Sequence, residues 1–195
     1  MFGYVTVPLT WIVEFRNGKG HEKNIVPNGK YMVVNSKFIS TNGVIRKYSD
    51  AQLSPLFMND ITMVMSDLPN GRALAKCYLI NEDDKYTLNQ RICALKVKKC
   101  FKVNVRYLFY ILNRNRQLLR YDNGVDQTNL KKEDILNICI DLPTTEEQNR
   151  IVSSLDRFDS LCNDLSSGLP AEIEARQKQY EYYRDKLLSF KQKHE

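Results

Sequence analysis

The sequence predicts an α+β protein. A mainly antiparallel β domain with a few helices, at residues 1–143, is expected to precede a long helical rod at residues 144–195. Short β-branched and apolar segments alternate with turn residues through the first part of the chain, which is typical of antiparallel strands. From Ile151 onward the apolar residues instead recur about every 3.5 positions, which is the period of a coiled coil.

The strands of the first domain are predicted where apolar runs end at Gly, Pro, Asn or Asp. Residues 35–42 are predicted to be a loop that ends in an Asn42-Gly43 hairpin, with a return strand from Val44. An apolar face with arginines opposite predicts one helix over Val105–Tyr121, and a short helix is expected at Lys131–Leu136. The predicted strands are Tyr4–Val7, Lys30–Val34, Ile61–Met65, Ala73–Ile80, Tyr86–Leu95 and Ile138–Leu142.

The rod is predicted to begin at a Thr144 or Thr145 cap, with Glu146 and Glu147 in its positively polarised first turn. Gly168 and Pro170 favour a break, so we expect a kinked rod or two consecutive helices, with a tight helical hairpin as the less favoured alternative. The apolar seam predicts a dimer or partner interface at Ile151, Leu155, Phe158, Leu165, Ile173, Tyr180, Tyr183, Leu187 and Phe190.

Composition and charge narrow the function classes. Residues 1–143 carry 21 Lys and Arg against 13 Asp and Glu, a net charge of +8, whereas residues 144–195 carry 8 against 10, a net charge of −2. A basic first domain is consistent with a polyanion partner. We expect a cytoplasmic protein without a membrane partner, because the sequence has neither a signal-peptide pattern nor a run of 18 apolar residues.

The sequence shows little that indicates catalysis. The five cysteines are irregularly spaced and the only histidines are His21 and His194, so neither a zinc site nor a Ser-His-Asp site is expected. No phosphate-binding or cofactor-binding glycine motif is present. Asp67, Asp83 and Lys85 resemble the acidic pattern of a magnesium nuclease, although a solvated turn explains these residues more simply. We therefore expect no catalytic residues, no metal and no cofactor in this chain.

Amide and cationic side chains are the residue types that read DNA bases and hold its phosphates. They gather in four segments of the first domain, although loop solubility and turn capping are the favoured explanation for any single one of these residues. The Asn89-Gln90-Arg91 trio is the least easily explained in that way, because it falls within a predicted strand. The candidate DNA-binding residues are Asn35, Lys37, Asn42, Arg46, Arg72, Asn89, Gln90, Arg91, Arg114, Arg116, Gln127 and Asn129.

Several segments carry the motifs of a known family. Gly124–Leu130 fits G-x-x-Q-x-N/G-[LI], Ile138–Pro143 reads as a closing Leu-Pro strand, and Glu146–Val152 fits E-E-Q-x-x-I. With the helical segments Gly168–Arg176 and Gln179–Leu188, the chain resembles the specificity (S) subunits of type I restriction-modification systems over essentially its whole length. The front of the chain matches the family more loosely.

The resemblance implies a non-catalytic DNA-recognition subunit. Members of this family usually carry two recognition domains and two conserved helices, whereas this chain resembles half of such a subunit. We therefore expect a homodimer of halves that reads a bipartite double-stranded DNA target and docks methyltransferase (M) and restriction (R) subunits. Those partners would carry S-adenosylmethionine, magnesium and ATP. The alternatives are a truncated module that binds partner subunits without reading DNA, and the magnesium nuclease.

Overall fold

The computed structural model describes residues 3–69, 71–164 and 170–189. The chain divides into two compact units. The first unit, which we call the head, is Val7–Ile140. The second, which we call the helical unit, consists of the described residues of 1–6 and 141–195.

The regular elements are short in the head and long in the helical unit. The strands are β1 (Tyr4–Pro8), β2 (Val13–Asn17), β3 (Ile25–Val26), β4 (Tyr31–Val34), β5 (Tyr48–Ser49), β6 (Ile61–Val64), β7 (Ser66–Asp67), β8 (Cys77–Leu79), β9 (Tyr86–Leu88), β10 (Ile92–Val97), β11 (Thr128–Asn129) and β12 (Cys139–Pro143). The α-helices are α1 (Leu9–Ile12), α2 (Ser36–Ser40), α3 (Val105–Leu112), α4 (Arg116–Leu119), α5 (Lys132–Leu136), α6 (Thr145–Asp164) and α7 (Pro170–Leu188).

Two four-stranded sheets form the frame of the head. One has the strand order β2-β10-β6-β8 and is antiparallel throughout. The other has the order β3-β5-β4-β9, in which only the β4–β9 pair is parallel. Two smaller pairs, β7 with β11 and β1 with β12, complete the sheet structure of the described residues. The expectation of mainly antiparallel sheets is confirmed.

The core of the head is built from the apolar strands that the sequence predicted most clearly. Strand β6 is buried at every position, and Val33 and Val34 of β4 are fully buried. Each apolar side chain among these contributes about 1.5–3 kcal/mol when it leaves water. The main apolar cluster draws on both sheets and on α2, and it contains Met32, Val34, Phe38, Ile39, Leu56, Val64, Ile80, Tyr86, Leu88, Ile92 and Ala94.

The expected loop and hairpin at residues 35–46 are wrong, because a short helix occupies part of this segment. The side chain of Asn35 caps α2 by accepting a hydrogen bond from the Phe38 N–H at 2.9 Å. Phe38 and Ile39 are then buried in the core. Asn42 and Gly43 have φ values of +50° and +78° and follow the helix end, where left-handed residues are favoured, so no hairpin forms.

The helix expected over Val105–Tyr121 is divided into α3 and α4. Arg114 interrupts it with a left-handed φ of +57°, a conformation in which a helix cannot continue. The side chain of Asn115 then caps α4 by accepting from the Gln117 N–H at 2.8 Å. The arginines on either side of the break therefore do not share one helical face.

The helical unit is a pair of packed helices rather than one kinked rod. Helices α6 and α7 contact each other, and the ring of Phe158 stacks on the ring of Tyr183 with centroids 5.5 Å apart. Two helices separated by five residues make such contacts only when they fold back on each other, so the less favoured hairpin is the one observed. Thr144 accepts from the Glu147 N–H at 3.3 Å, as expected for the cap, and α7 begins at Pro170.

Gly168, Leu165 and Phe190, which the sequence analysis named, lie outside the described residues. Ile173 belongs to α7, but its side chain is not among those described. Among the helices that the structure describes, none is both long enough and apolar enough to cross a membrane.

Candidate nucleic-acid interface

The Asn89-Gln90-Arg91 trio is a turn between two sheets and not part of a strand. It joins β9 of one four-stranded sheet to β10 of the other. Arg91 has a φ of +66°, which breaks the extended conformation that the apolar pattern of residues 86–95 predicted. Gln90 and Arg91 are exposed at this turn and Asn89 is half-buried. The prediction of one strand over Tyr86–Leu95 is therefore wrong, but the trio remains a surface feature.

Asn89 of this turn lines a cavity with both polar and apolar walls, which we call the His21 pocket. The pocket has a volume of about 340 Å³ and is lined by His21, Glu22, Ile25, Val33, Asn35, Lys47 and Asn89. The His21 N–H donates to Asn89 Oδ1 at 3.2 Å, and Gln90 Nε2 donates to Glu22 Oε1 at 2.6 Å. The pocket thus brings together candidate residues from two segments that lie more than 50 positions apart in the sequence.

The imidazole of His21 is a structural element of this pocket. It is fully buried, with Nδ1 at 2.7 Å from the Lys19 carbonyl and Nε2 at 2.9 Å from Thr87 Oγ1. Because the carbonyl can only accept, Nδ1 carries a proton. The sequence analysis passed over His21, Glu22 and Lys47 as candidates. The sequence signal that could have drawn attention to these residues is the pair Gly18 and Gly20, because glycine allows the backbone to approach another segment closely.

The turn also adjoins a second polar group, which we call the Gln127 edge. It consists of Ser66 and Asp67 of β7 and of Gln127, Thr128 and Asn129 at β11, which pair antiparallel. Gln127 Nε2 donates to Ser66 Oγ at 2.7 Å. Gln127 and Asn129 are both exposed, so this edge presents amide groups to solvent.

Met65 connects the turn to the Gln127 edge through its own backbone. Its N–H donates to the Arg91 carbonyl at 2.9 Å, and its carbonyl accepts from the Leu130 N–H at 2.7 Å. The turn is therefore linked to the His21 pocket through Asn89 and to the Gln127 edge through Met65. Local sequence pattern could not reveal this, because every one of the links is long-range.

The remaining cationic candidates differ in how they are held. Arg114 is half-buried and donates from Nη1 to the carbonyls of Gly71 at 3.4 Å and Leu74 at 3.2 Å. Burial, and secondarily the charge of Arg114, lower the pKa of Lys76. Arg114 therefore holds the 71–74 loop in addition to any role in binding. By contrast, Lys37, Arg46, Arg72 and Arg116 are exposed, as is Asn42.

Asp67 and Asp83, the carboxylates of the nuclease alternative, are both used to hold backbone. Asp67 accepts from the N–H groups of Leu68, Ala73 and Leu74 at 2.7–3.0 Å. Asp83 accepts from the Met58 N–H at 2.8 Å, and Lys85 pairs with Glu82. Groups of three or more His, Cys, Asp or Glu side chains placed to hold a metal ion are absent from the residues described.

The candidate interface residues of the helical unit are unequally available. Ile151 and Leu155 are 1% and 0% exposed in the single chain, so they present no surface to a second copy. Tyr183 is half-buried against Phe158, and Tyr180 and Leu187 are also half-buried. Tyr182 was not a candidate, although it is the large apolar residue most exposed on the described part of α7.

In a comparison with protein-family models, one model matches the whole described head of the chain. The model described as "Type I restriction modification DNA specificity domain" matches residues 2–175. This range takes in the head, α6 and the first residues of α7.

Individual relatives agree with this match. The chain is 28% identical over 191 residues to a putative type I specificity subunit of Mycoplasma pneumoniae, covering 97% of this chain and 59% of the relative. It is 40% identical over 107 residues to the EcoR124I/EcoR124II specificity subunit of Escherichia coli, covering 53% of this chain and 26% of the relative. The chain thus spans less than two thirds of the length of either relative.

A solved structure shows the same fold. The type I restriction-modification S subunit from M. genitalium superposes with a TM-score of 0.66 at 18% identity, covering 85% of this chain and 41% of that subunit.

Proposed function

Because the chain belongs to the family of type I restriction-modification DNA specificity domains, we propose that its head recognises one half of a split DNA target. Specificity subunits of this family are non-catalytic, so the magnesium nuclease is set aside. In this proposal, recognition by the head directs methyltransferase and restriction subunits to their site, and the helical unit docks the methyltransferase subunits.

The observation that carries the proposal is the convergence of polar segments around residues 89–91. Amide and cationic side chains there come from the His21 pocket, the turn and the Gln127 edge. Such side chains bind base edges and phosphates, and a surface that combines both is what a sequence-reading domain needs. The net charge of +8 on residues 1–143 supports a polyanionic partner.

A complete split target needs two recognition heads, and we propose that a second copy of the chain supplies the second. The family match describes a DNA specificity domain over residues 2–175, which supplies one such head. A pair of identical heads related by a two-fold axis would read an inverted repeat with a fixed spacer.

Selection of DNA by the full chain tests the proposal. The purified chain is incubated with duplexes that contain a randomised segment, and the bound fraction is amplified and sequenced over several rounds. We expect enrichment of one short sequence, repeated in inverted orientation at constant spacing. Enrichment of a single copy would retain half-target reading and remove the homodimer. Absence of enrichment, together with stable binding to methyltransferase subunits, would establish the interaction module that does not read DNA.

A further inference from the structure

The His21 pocket contains two amide groups whose orientation is fixed by the backbone. Asn35 Oδ1 accepts from the Phe38 N–H at 2.9 Å, and Asn89 Oδ1 accepts from the His21 N–H at 3.2 Å. Only the oxygen of an amide can accept, so each Nδ2 group is left with its two donor hydrogens. Both residues line the pocket, and so does the exposed Lys47.

These three groups share a chemical property, which is that each is purely a donor. Within the part of the chain that the structure describes, neither amide nitrogen nor the Lys47 ammonium has a hydrogen-bond partner. A ligand that satisfies them must present acceptors. On DNA, a backbone phosphate presents acceptor oxygens alone and projects from the duplex, which suits a concave site. Ile25, which also lines the pocket and is 38% exposed, suits the carbons of the neighbouring deoxyribose.

We propose that the His21 pocket seats one backbone phosphate of the DNA, held by Asn35 Nδ2, Asn89 Nδ2 and Lys47 Nζ. This inference rests on the proposed function and assigns different roles in DNA binding to different residues of the head. The seat fixes the register of the head on the duplex, whereas Arg91 and the Gln127 edge are left to face the bases. A contact of this kind carries no sequence information of its own.

Glu22 places a negative charge in the pocket, which would repel a bound phosphate. This repulsion provides a further test of the proposal. Its carboxylate lines the pocket and is held at one oxygen by Gln90 Nε2. A negative charge beside a phosphate weakens its binding, so Glu22→Gln should bind DNA about 1.4- to 5-fold more tightly, the range of a single exposed charge pair. A pocket that instead accepts a hydrogen-bond donor of a base would bind more weakly after the same change.

Phosphate interference with matched variants tests the seat directly. The probes are the duplex recovered by selection and an unrelated duplex of equal length, each with single neutral methylphosphonate links at successive positions. Wild-type chain, Lys47→Gln and Asn35→Asp are compared. Aspartate caps a helix as well as asparagine does, so Asn35→Asp keeps α2 while it removes the donor hydrogens. Asn28→Asp, an exposed position that does not line the pocket, is the matched control for the added charge.

We expect a methylphosphonate at one position to weaken DNA binding by the wild-type chain. The same methylphosphonate should not weaken binding by Lys47→Gln any further. Lys47→Gln should weaken binding to both duplexes by the same factor and lower the salt dependence by about one unit of slope. Asn35→Asp should weaken binding to both duplexes more than Asn28→Asp does. An unchanged interference pattern in Lys47→Gln, or a changed base preference, would overturn the phosphate seat while leaving the proposed function intact. If the wild-type chain bound neither duplex, both would fall.

Discussion

The α-carbon of Gly18 lies so close to the backbone of Asn89 that a Cβ at position 18 would come within 1.9 Å of the Asn89 carbonyl oxygen. This approach holds residues 18–21 against the turn, where the Gln90 N–H donates to the Lys19 carbonyl at 3.1 Å. Because His21 and Asn89 both line the pocket, the candidate interface takes its shape from this contact.

Gly18→Ala is expected to lower the free energy of unfolding by about 1–3 kcal/mol, because backbone atoms block the added methyl group and cannot move aside independently. Gly20→Ala is the matched control. Its added Cβ would meet the ends of the Glu22 and Gln90 side chains, at 2.8 and 3.4 Å, and these can rotate away. Urea unfolding of both variants measures the difference. Equal stability of the two variants would contradict the close approach.

The guanidinium of Arg16 pairs with the carboxylate of Asp60, which is completely buried. Asp60 also accepts from the Phe57 N–H at 2.9 Å, and Arg16 donates to the Pro55 carbonyl at 2.9 Å. Asp60→Ala should therefore destabilise the head by about 1–3 kcal/mol, since it leaves the Phe57 N–H without its acceptor and removes the anionic partner of Arg16, whose side chain is 34% exposed.

The exposed pair of Lys85 with Glu82 provides the comparison for this prediction. Glu82→Ala removes an ion pair of the same charge type from the surface, where such pairs contribute about 0–1 kcal/mol. Thermal and urea unfolding of both variants tests the contrast. A loss at Asp60 no larger than the loss at Glu82 would show that the buried pair is not needed for stability.

Glu147 in the first turn of α6 makes stability depend on pH. The hydrogen bond from Arg150 Nε, 2.8 Å from Glu147 Oε2, lowers the pKa of Glu147 below its ordinary value of 4.5. A carboxyl group whose pKa is lower in the folded state stabilises the fold above the unfolded-state pKa. That stabilisation is lost as the pH falls through the folded-state pKa.

Comparison of the wild-type chain with Glu147→Gln across pH tests this dependence. At pH 7 the wild-type chain should have the higher urea midpoint. The difference between the two should shrink as the pH falls below 4.5 and vanish once Glu147 is protonated in the folded state. Arg150→Gln should remove the same pH-dependent difference. A constant difference between pH 7 and pH 3 would mean that the ion pair does not lower this pKa.

Arg72 and Arg114 are expected to have different roles, DNA contact for Arg72 and structural support for Arg114. Arg72→Glu changes an exposed side chain and should alter stability by no more than about 0.5 kcal/mol. It should nevertheless weaken DNA binding at every sequence and flatten the salt dependence, if the surface beside the Gln127 edge faces DNA. Arg114→Glu should lower stability, because it removes the donors to the Gly71 and Leu74 carbonyls.

Filter binding and unfolding of the two variants distinguish these roles. Unchanged DNA affinity in Arg72→Glu would remove this loop from the interface. Full stability in Arg114→Glu would show that its bonds to the 71–74 loop are dispensable.

The parts of the fold that the sequence predicted well are those set by local apolar pattern. Strands β4 and β6 are short runs rich in apolar and β-branched residues between turn signals, a combination that favours a strand. Helix α2 was not predicted because Asn35 and Ser36 are residue types typical of loops. In the structure, the side chain of Asn35 is the N-terminal cap of this helix.

The sequence named some residues of the candidate site but did not predict their arrangement. Amide and cationic side chains could be named from their chemistry, and the turn at 89–91 drew attention through its polar sequence. The His21 pocket could not be found in the same way. It depends on the Gly18 backbone contacting Asn89 and on Thr87 reaching the buried His21 ring, and neither leaves a periodic signal in the sequence.

The buried state of Ile151 and Leu155 changes where a second copy can bind. These residues are buried within the single chain, so we expect a dimer of halves to use exposed residues of the helical unit. Tyr182 of α7 is 61% exposed, and its ring meets that of Tyr183 at 5.3 Å, next to the stack on Phe158. Exposed tyrosines of this kind are enriched at protein interfaces.

Tyr182→Glu should therefore convert a dimer of twice 22.8 kDa into a monomer without unfolding the chain, because the ring is exposed and its replacement leaves no cavity. Leu155→Ala, by contrast, should lower stability by about 2–5 kcal/mol, the cost of an emptied core site. Light scattering over a range of concentrations reads the mass, and circular dichroism confirms the fold. A wild-type chain that is monomeric at every concentration would assign the tyrosines to a different partner and remove the prediction of a symmetric target.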